Sequence, residues 1–281
     1  MYYLAIDIGA SSGRHIIGSY ENGRLTIEEM YRFPNGMKKN GDGTLVWDSD
    51  ALFGYVKAGI AECVKKGKSP SYIGIDTWGV DFALLDKDGN RIGDTVGYRD
   101  SRNNGMDEEV YKIIPEKELY ARTGIQKAIF NTVYQLMAVK KNNPEYLEKA
   151  DRMLMMPEYL NYLLTGVKCS EYTNATTGQL VDAVSCDWDY DMIRRLGYPE
   201  RIFGKIYEPG HIVGELTEVV AAETGCHGAK VILPATHDTG SAVVSVPTNS
   251  EDVIYISSGT WSLIGVERLT PDTSEKSRLH N

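Results

Sequence analysis

The sequence predicts an α/β protein, on three observations. Short apolar strands joined by tight polar turns open the chain. Residues 107–165 read mainly as helices, and an apolar run near residue 231 reads as a further buried strand.

The elements follow in order. Residues 3–8 form an apolar strand, Gly9-Ala10-Ser11-Ser12-Gly13 a small-residue turn, and residues 14–20 a second strand. Glu21-Asn22-Gly23 is a hairpin turn, since Asn-Gly tolerates positive φ at both central positions, and residues 25–33 are a third strand. Residues 34–44 are a polar, Gly-rich loop. A helix follows, capped by Asp48 or Ser49, with Leu52, Val56, Ile60 and Val64 at helical spacing. Residues 72–77 are a strand entering a buried sheet, with residues 81–85 as its hairpin partner. One helix runs from Thr132 to the break at Asn143-Pro144, and a second spans residues 153–164 up to Thr165-Gly166. Residues 188–227 hold two short helices around the turn at 207–210. Residues 231–235 are a buried strand ending at Thr236-His237-Asp238. Residues 253–256 are a strand running into Ser257-Ser258-Gly259-Thr260, with residues 262–266 as its partner, and residues 270–281 are a polar end.

Composition bounds the function. A chain of 281 residues makes one large domain or two small ones. Its 42% hydrophobic and 25% charged content excludes a disordered chain. A net charge of −9 repels phosphate backbones, which excludes nucleic acid as a non-specific partner but leaves room for a local basic site on a small phosphate ligand. No apolar run approaches the roughly 20 residues that span a bilayer, so no membrane partner is expected. The first apolar run is interrupted by Asp7 and lacks a basic flank, unlike a signal peptide. Cys63, Cys169, Cys186 and Cys226 form no C-x-x-C pair and read as buried thiols of a reducing, cytoplasmic compartment. The five histidines show no zinc-site spacing.

Four constellations could carry chemistry. In Asp7-Ile8-Gly9-Ala10-Ser11-Ser12-Gly13-Arg14 a strand delivers a carboxylate to a turn of small residues. Backbone N–H groups there can approach an anion closely, Asp7 can hold Mg²⁺ or its water shell, and Arg14 can neutralise phosphate charge. A surface hairpin is the plain alternative. In Thr236-His237-Asp238 a strand again ends in a carboxylate. Asp238 could take a proton from a hydroxyl attacking phosphorus, with His237 bonding a substrate oxygen or orienting Asp238, or Asp238 could simply cap a helix. Ser257-Ser258-Gly259-Thr260-Trp261 repeats the strand-and-small-turn logic for a second phosphate face. In Asp76-Thr77-Trp78-Gly79-Val80-Asp81-Phe82, followed by Tyr98-Arg99-Asp100-Ser101-Arg102, rings beside charged groups suit a sugar. Trp78, Asp81 and Arg99 are the chosen contacts, against core rings and surface ion pairs.

The order of these motifs, together with Glu171-Tyr172-Thr173-Asn174-Ala175-Thr176-Thr177, resembles the FGGY carbohydrate kinases over the whole chain. That resemblance implies an actin-like ATPase (ribonuclease H-like) fold with a mixed sheet and helices, and two domains closing on a cleft. It implies ATP and Mg²⁺ as cofactors and a small-molecule sugar as substrate. It points to transfer of the γ-phosphoryl group of ATP to the 1-hydroxyl of L-rhamnulose. By the same resemblance Asp238 matches the catalytic base, and Ala10, Ser11, Ser12, Gly13 and Arg14 match the first phosphate loop. Asp7 matches the metal-associated acid, Thr260 an ATP contact, and Gly79 and His237 sugar contacts.

The resemblance also sets the expected organisation. Residues 1–246 would be the sugar-binding N-terminal domain, and 247–281 the start of a second domain cut short, with Ile254, Ile256, Leu263 and Ile264 left without part of their packing. A kinase of L-fuculose, xylulose or glycerol and a non-catalytic sugar-binding module are the competing readings, and homo-oligomerisation is left open.

Overall fold

A computed structural model describes residues 1–248, 250, 253–258 and 262–280. Three strands open the chain as an antiparallel meander: β1 (Tyr2–Ile8), β2 (Ser12–Glu21) and β3 (Arg24–Pro34). Asn22 and Gly23 take φ of 51° and 78°, the left-handed pair that this two-residue turn requires. The meander is one side of a six-stranded sheet ordered Ile212–Glu215, Lys230–Ile232, Tyr72–Thr77, β1, β2, β3. The strands Lys230–Ile232, Tyr72–Thr77 and β1 run parallel, so their carboxyl ends finish on one edge.

The sheet alternates. Leu4, Ile6 and Ile8 of β1 and Ile73 and Ile75 of the next strand point to one face and are buried there. Helix α1 (Ser49–Lys65) closes that face with Leu52, Val56, Ile60 and Cys63; Cys63, not Val64, completes the buried stripe. Asp48 is the cap, accepting from the Ala51 N–H at 3.1 Å. Met156, Leu160 and Leu164 of the helix Met156–Thr165 and Val220 of the helix Glu218–Thr224 complete the layer. Each such side chain contributes about 1.5–3 kcal/mol by leaving water.

Three expectations need correcting. Residues 82–85 do not pair with the Tyr72–Thr77 strand: Phe82–Leu85 joins Arg91–Ile92 and Arg152–Met155 in a separate three-stranded sheet. The cause is the sharp turn at Trp78–Asp81, which throws the chain off the main sheet into a second core around the helix Thr132–Asn142. Residues 153–155 are strand, and the helix begins at Met156, where Pro157 suits the first turn. The loop at 34–44 contains a short strand, Met37–Lys39, paired with Leu45–Trp47.

Cys63, Cys169 and Cys226 are buried and Cys186 is exposed, and all four are free thiols. Ile254–Ser258 and Ser262–Val266 form the expected hairpin, with Ile254, Ile256, Leu263 and Ile264 exposed. The polar end folds into a short helix, Glu275–His280, held by Arg278 on Glu116 at 2.9 Å. Among the described residues no helix is long and apolar enough to cross a membrane.

Gly13 lies where the meander passes over Phe33, and a Cβ there would sit 2.1 Å from the ring. Phe33 is 2% exposed and cannot swing away. Gly13→Ala will therefore lower stability by about 1–3 kcal/mol, read as a lower denaturant midpoint at unchanged slope. A midpoint equal to that of the unaltered chain would mean that the ring gives way.

Candidate functional site

The parallel strand ends carry the carboxylates. Asp7 of β1 lies in register with Arg14 of β2 on one side and with Asp76 of the neighbouring strand on the other. Arg14 grips it twice, Nε and Nη2 each 2.9 Å from Asp7 Oδ2. The Thr77 N–H donates to the Thr236 carbonyl at 2.9 Å, and a bridge between Thr77 and His237 brings Asp238 to the same edge. Asp7, Asp76 and Asp238 thus come together, although the sequence singled out only the first and the last. The signal for Asp76 was present: Ile75-Asp76 repeats the Ile6-Asp7 pattern of an apolar strand ending in an acid.

Charge is uneven here. Loss of water pushes the Asp76 carboxyl well above its usual value, and the negative charges of Asp7 and Asp238 push further, against Arg14. Desolvation likewise raises Asp238, opposed by His237. One guanidinium against three acids leaves a site that favours a cation. Among the described residues no group of three or more His, Cys, Asp or Glu side chains is arranged to hold a metal. The two carboxylates in register, Asp7 and Asp76, are instead the smaller donor set that suits Mg²⁺, which keeps several waters and binds through one or two carboxylates and substrate phosphates. The adjoining turn is fixed by Asn35 beyond β3, whose N–H donates to the Ser11 carbonyl at 3.0 Å and whose Nδ2 donates to the Gly9 carbonyl at 2.8 Å. Ser11 and Arg14 are exposed on it, with Ala10 and Ser12 half-buried.

His237 precedes the helix Asp238–Val244, with Nε2 3.4 Å from Asp238 Oδ1. It holds the cap position but its ring makes no capping bond, and Asp238 is the first helical residue. Asp238 Oδ1 accepts from the Thr239 N–H at 2.7 Å. Burial lowers the His237 pKa below 6.5 and so favours a neutral ring.

The third wall is the turn after Tyr72–Thr77. A Cβ on Gly79 would stand 2.8 Å from Thr177 Cγ2, so only glycine fits. Val80 has φ of 69°, a strained conformation for a β-branched residue. Three bonds enforce it: its N–H donates to Thr177 Oγ1 at 3.0 Å, and its carbonyl accepts from Thr132 Oγ1 at 2.8 Å and Gln135 Nε2 at 3.1 Å.

Asp81 and Trp78 are not placed to touch a sugar. Asp81 is 0% exposed, and its oxygens accept from four donors: Trp47 Nε1 at 2.6 Å, Gln135 Nε2 at 2.8 Å, Trp78 Nε1 at 3.0 Å and the Tyr98 N–H at 3.1 Å. Trp78 packs on Trp47 with ring centroids 4.0 Å apart. The pair braces the turn from behind, because an indole N–H shut away from water must find an acceptor. Arg99 is exposed, its guanidinium 5.4 Å from the Tyr98 ring centroid. Arg102 is the guanidinium that turns inward, donating to Gln135 Oε1 at 3.1 Å. Asp81→Leu strands four buried donors and will cost about 3 kcal/mol, measured by denaturant unfolding. A loss below about 1 kcal/mol would show that the donors find other partners. Thr260 lies outside the described residues.

Glu171 and Gln135 were not singled out as site residues. Each reaches the site by bonds to segments distant in sequence; the stretch 171–177 stands out only as part of the family resemblance, and no local pattern marks the grip of Glu171 on Thr236 or of Gln135 on Val80.

The family model described as the FGGY family of carbohydrate kinases, N-terminal domain, matches residues 2–245. The chain is 50% identical to the rhamnulokinase of Oceanobacillus iheyensis, covering 99% of this chain and 58% of that protein. It is 49% identical to the rhamnulokinase of Halalkalibacterium halodurans, covering 100% and 59%. The chain therefore spans a little over half the length of these curated relatives. Among solved structures, a carbohydrate kinase from Novosphingobium aromaticivorans superposes with a TM-score of 0.81 at 21% identity, over 97% of this chain and 57% of that one. A xylulose kinase from Lactobacillus acidophilus gives 0.75 at 17% identity, over 83% and 47%. These likenesses bear out the actin-like ATPase fold. With the strand-end acids and the family match on the same residues, the chain belongs to the FGGY family of carbohydrate kinases.

Proposed function

We propose that the chain is the sugar-binding part of an ATP-dependent, cytoplasmic kinase that phosphorylates O1 of L-rhamnulose. The observation that carries this reading is the 49–50% identity to two rhamnulokinases over nearly all of this chain. The proposed division is a sugar-binding domain over residues 1–246 and the beginning of a second domain over 247–281.

In this mechanism Asp238 takes the proton from O1 as that oxygen attacks the γ-phosphorus. The new O–P bond forms while the bond to the departing ADP breaks. A carboxylate raised by desolvation is a stronger base for that proton. His237, held neutral, hydrogen-bonds a sugar oxygen, and Gly79 lets the sugar approach the backbone. Ala10, Ser11, Ser12, Gly13 and Arg14 receive the phosphates, and Thr260 contacts the nucleotide. Asp7, with Asp76 beside it, would hold Mg²⁺, which when bound offsets phosphate charge.

The test is a calorimetric titration of L-rhamnulose into the chain without nucleotide. Saturable heat, lost in His237→Ala, supports the assignment. A folded sample giving no heat with L-rhamnulose but binding L-fuculose, xylulose or glycerol overturns it. ADP formation with ATP and sugar then separates an enzyme from a binding module.

A further inference from the structure

One buried carboxylate ties the catalytic corner to the rest of the domain. Glu171 ends the two-residue strand Ser170–Glu171 and caps the helix Tyr172–Thr176. It is 0% exposed. As a cap, its Oε1 accepts from the Thr173 N–H at 2.8 Å. Its other oxygen does something a cap does not require. Oε2 accepts from the Thr236 N–H at 3.0 Å and the Thr236 hydroxyl at 2.6 Å, across a long gap in sequence. Oε2 also accepts from the Thr173 hydroxyl at 2.6 Å, and that hydroxyl oxygen accepts from the His237 N–H at 3.2 Å. Both backbone N–H groups just ahead of Asp238 are therefore held by Glu171, one directly and one through Thr173.

A carboxylate taken out of water is costly to keep, and here hydroxyls and amides solvate it in place of water. An amide side chain cannot serve both sides: with one acceptor oxygen it sets an NH₂ group either against the Thr173 N–H or against the four donors on Oε2, which include the Asn174 N–H at 3.3 Å.

We infer that Glu171 is a positioning residue: its carboxylate fixes the Thr236–His237–Asp238 corner in the orientation that presents His237 and Asp238 to the sugar. The role in sugar binding rests on the function proposed above, and the fixing of the corner does not.

Two measurements on the same samples separate the two claims. Amide hydrogen exchange on the whole chain reads the corner directly. In Glu171→Gln the Thr236 and His237 amides exchange at least about tenfold faster, while β1 and β2 amides keep their rates. Glu171→Asp, which keeps the charge, recovers much of the protection. Thr236→Val, which removes one donor and keeps the side-chain shape, falls between and carries the test alone if Glu171→Gln does not fold. Titration of the ketose then reads function, with affinity about tenfold weaker in Glu171→Gln and partly restored in Glu171→Asp. Corner amides exchanging at the unaltered rate overturn the inference, as does a uniform acceleration over the domain, which would mark a merely structural carboxylate. If the unaltered chain binds no ketose, the sugar assignment falls and the exchange rates still decide the role of Glu171.

Discussion

Between pH 6.5 and 8 Glu158 will cost the chain up to about 1.4 kcal/mol of stability per pH unit, and Glu158→Gln will remove that share of the slope. Glu158 is 1% exposed, in the first turn of the helix Met156–Thr165. Burial pushes its carboxyl from 4.5 up to about 8, and the charge of Glu171 adds to this. The N–H groups of Met155 at 2.8 Å and Glu171 at 2.7 Å pull the other way. The folded state thus binds a proton more tightly than the unfolded chain does. Its stabilising contribution is complete below pH 4.5 and is lost as pH climbs through about 8. Two of the other buried groups, Asp81 and His15, shift at lower pH, in opposite senses. Asp81, raised by burial to about 6, loses its contribution as pH rises from 3.8. His15, lowered by burial to about 4, loses its contribution as pH falls from 6.5. Above 6.5 neither masks Glu158, while Asp76 and Asp238, whose carboxyls burial also raises, act in the same sense, so the share of Glu158 is the difference in slope between the unaltered chain and Glu158→Gln. Glutamine offers one carbonyl for two N–H groups, so at pH 5 the variant will be less stable by about 1–3 kcal/mol. Unfolding curves at half-unit steps of pH check both statements. A slope as steep in Glu158→Gln as in the unaltered chain would assign it to another group.

Under the kinase mechanism proposed above, Asp238→Asn is expected to lower phosphoryl transfer by about 10²–10⁴-fold while sugar affinity stays within about threefold. Asparagine keeps the size and the bond from the Thr239 N–H, so the start of the helix stays intact. What disappears, on the proposed mechanism, is the acceptor for the proton on O1. ADP release at saturating sugar and ATP, compared with the unaltered chain, reads the first effect and calorimetry the second. Transfer at an unaltered rate would remove Asp238 from the role of base. Equal losses in transfer and sugar binding would make it a binding group.

The legible parts of this protein are those whose physics is local. The Asn22-Gly23 turn, the Asp48 cap and the apolar strands that end in Asp7 and at Thr236 can each be seen within a few residues. So could the two ends of the site, because a strand followed by small residues is itself the device. Asp81 misled for the opposite reason. Beside two aromatic rings in sequence it reads as a sugar ligand, but Trp47 and Gln135, which turn it into a buried hub, lie far away in the chain. The partner of Phe82–Leu85 was missed on the same ground: Arg152–Met155 is apolar enough to continue a helix, and only the pairing makes it a strand. Glu171 announces its cap but not its grip on Thr236.

The order of the main sheet also bears on how the chain is made. The strand Tyr72–Thr77 pairs with β1 as soon as both have left the ribosome, but its other neighbour begins only at Lys230. Until then Ile73 and Ile75 border a row of unpaired backbone groups, an invitation to neighbouring nascent chains. Everything from the second core to Glu218–Thr224 must be synthesised while that edge stands open. Chaperone demand should therefore peak before residue 230 emerges and fall once Lys230–Ile232 seals the sheet, the same event that delivers Asp238 to Asp7.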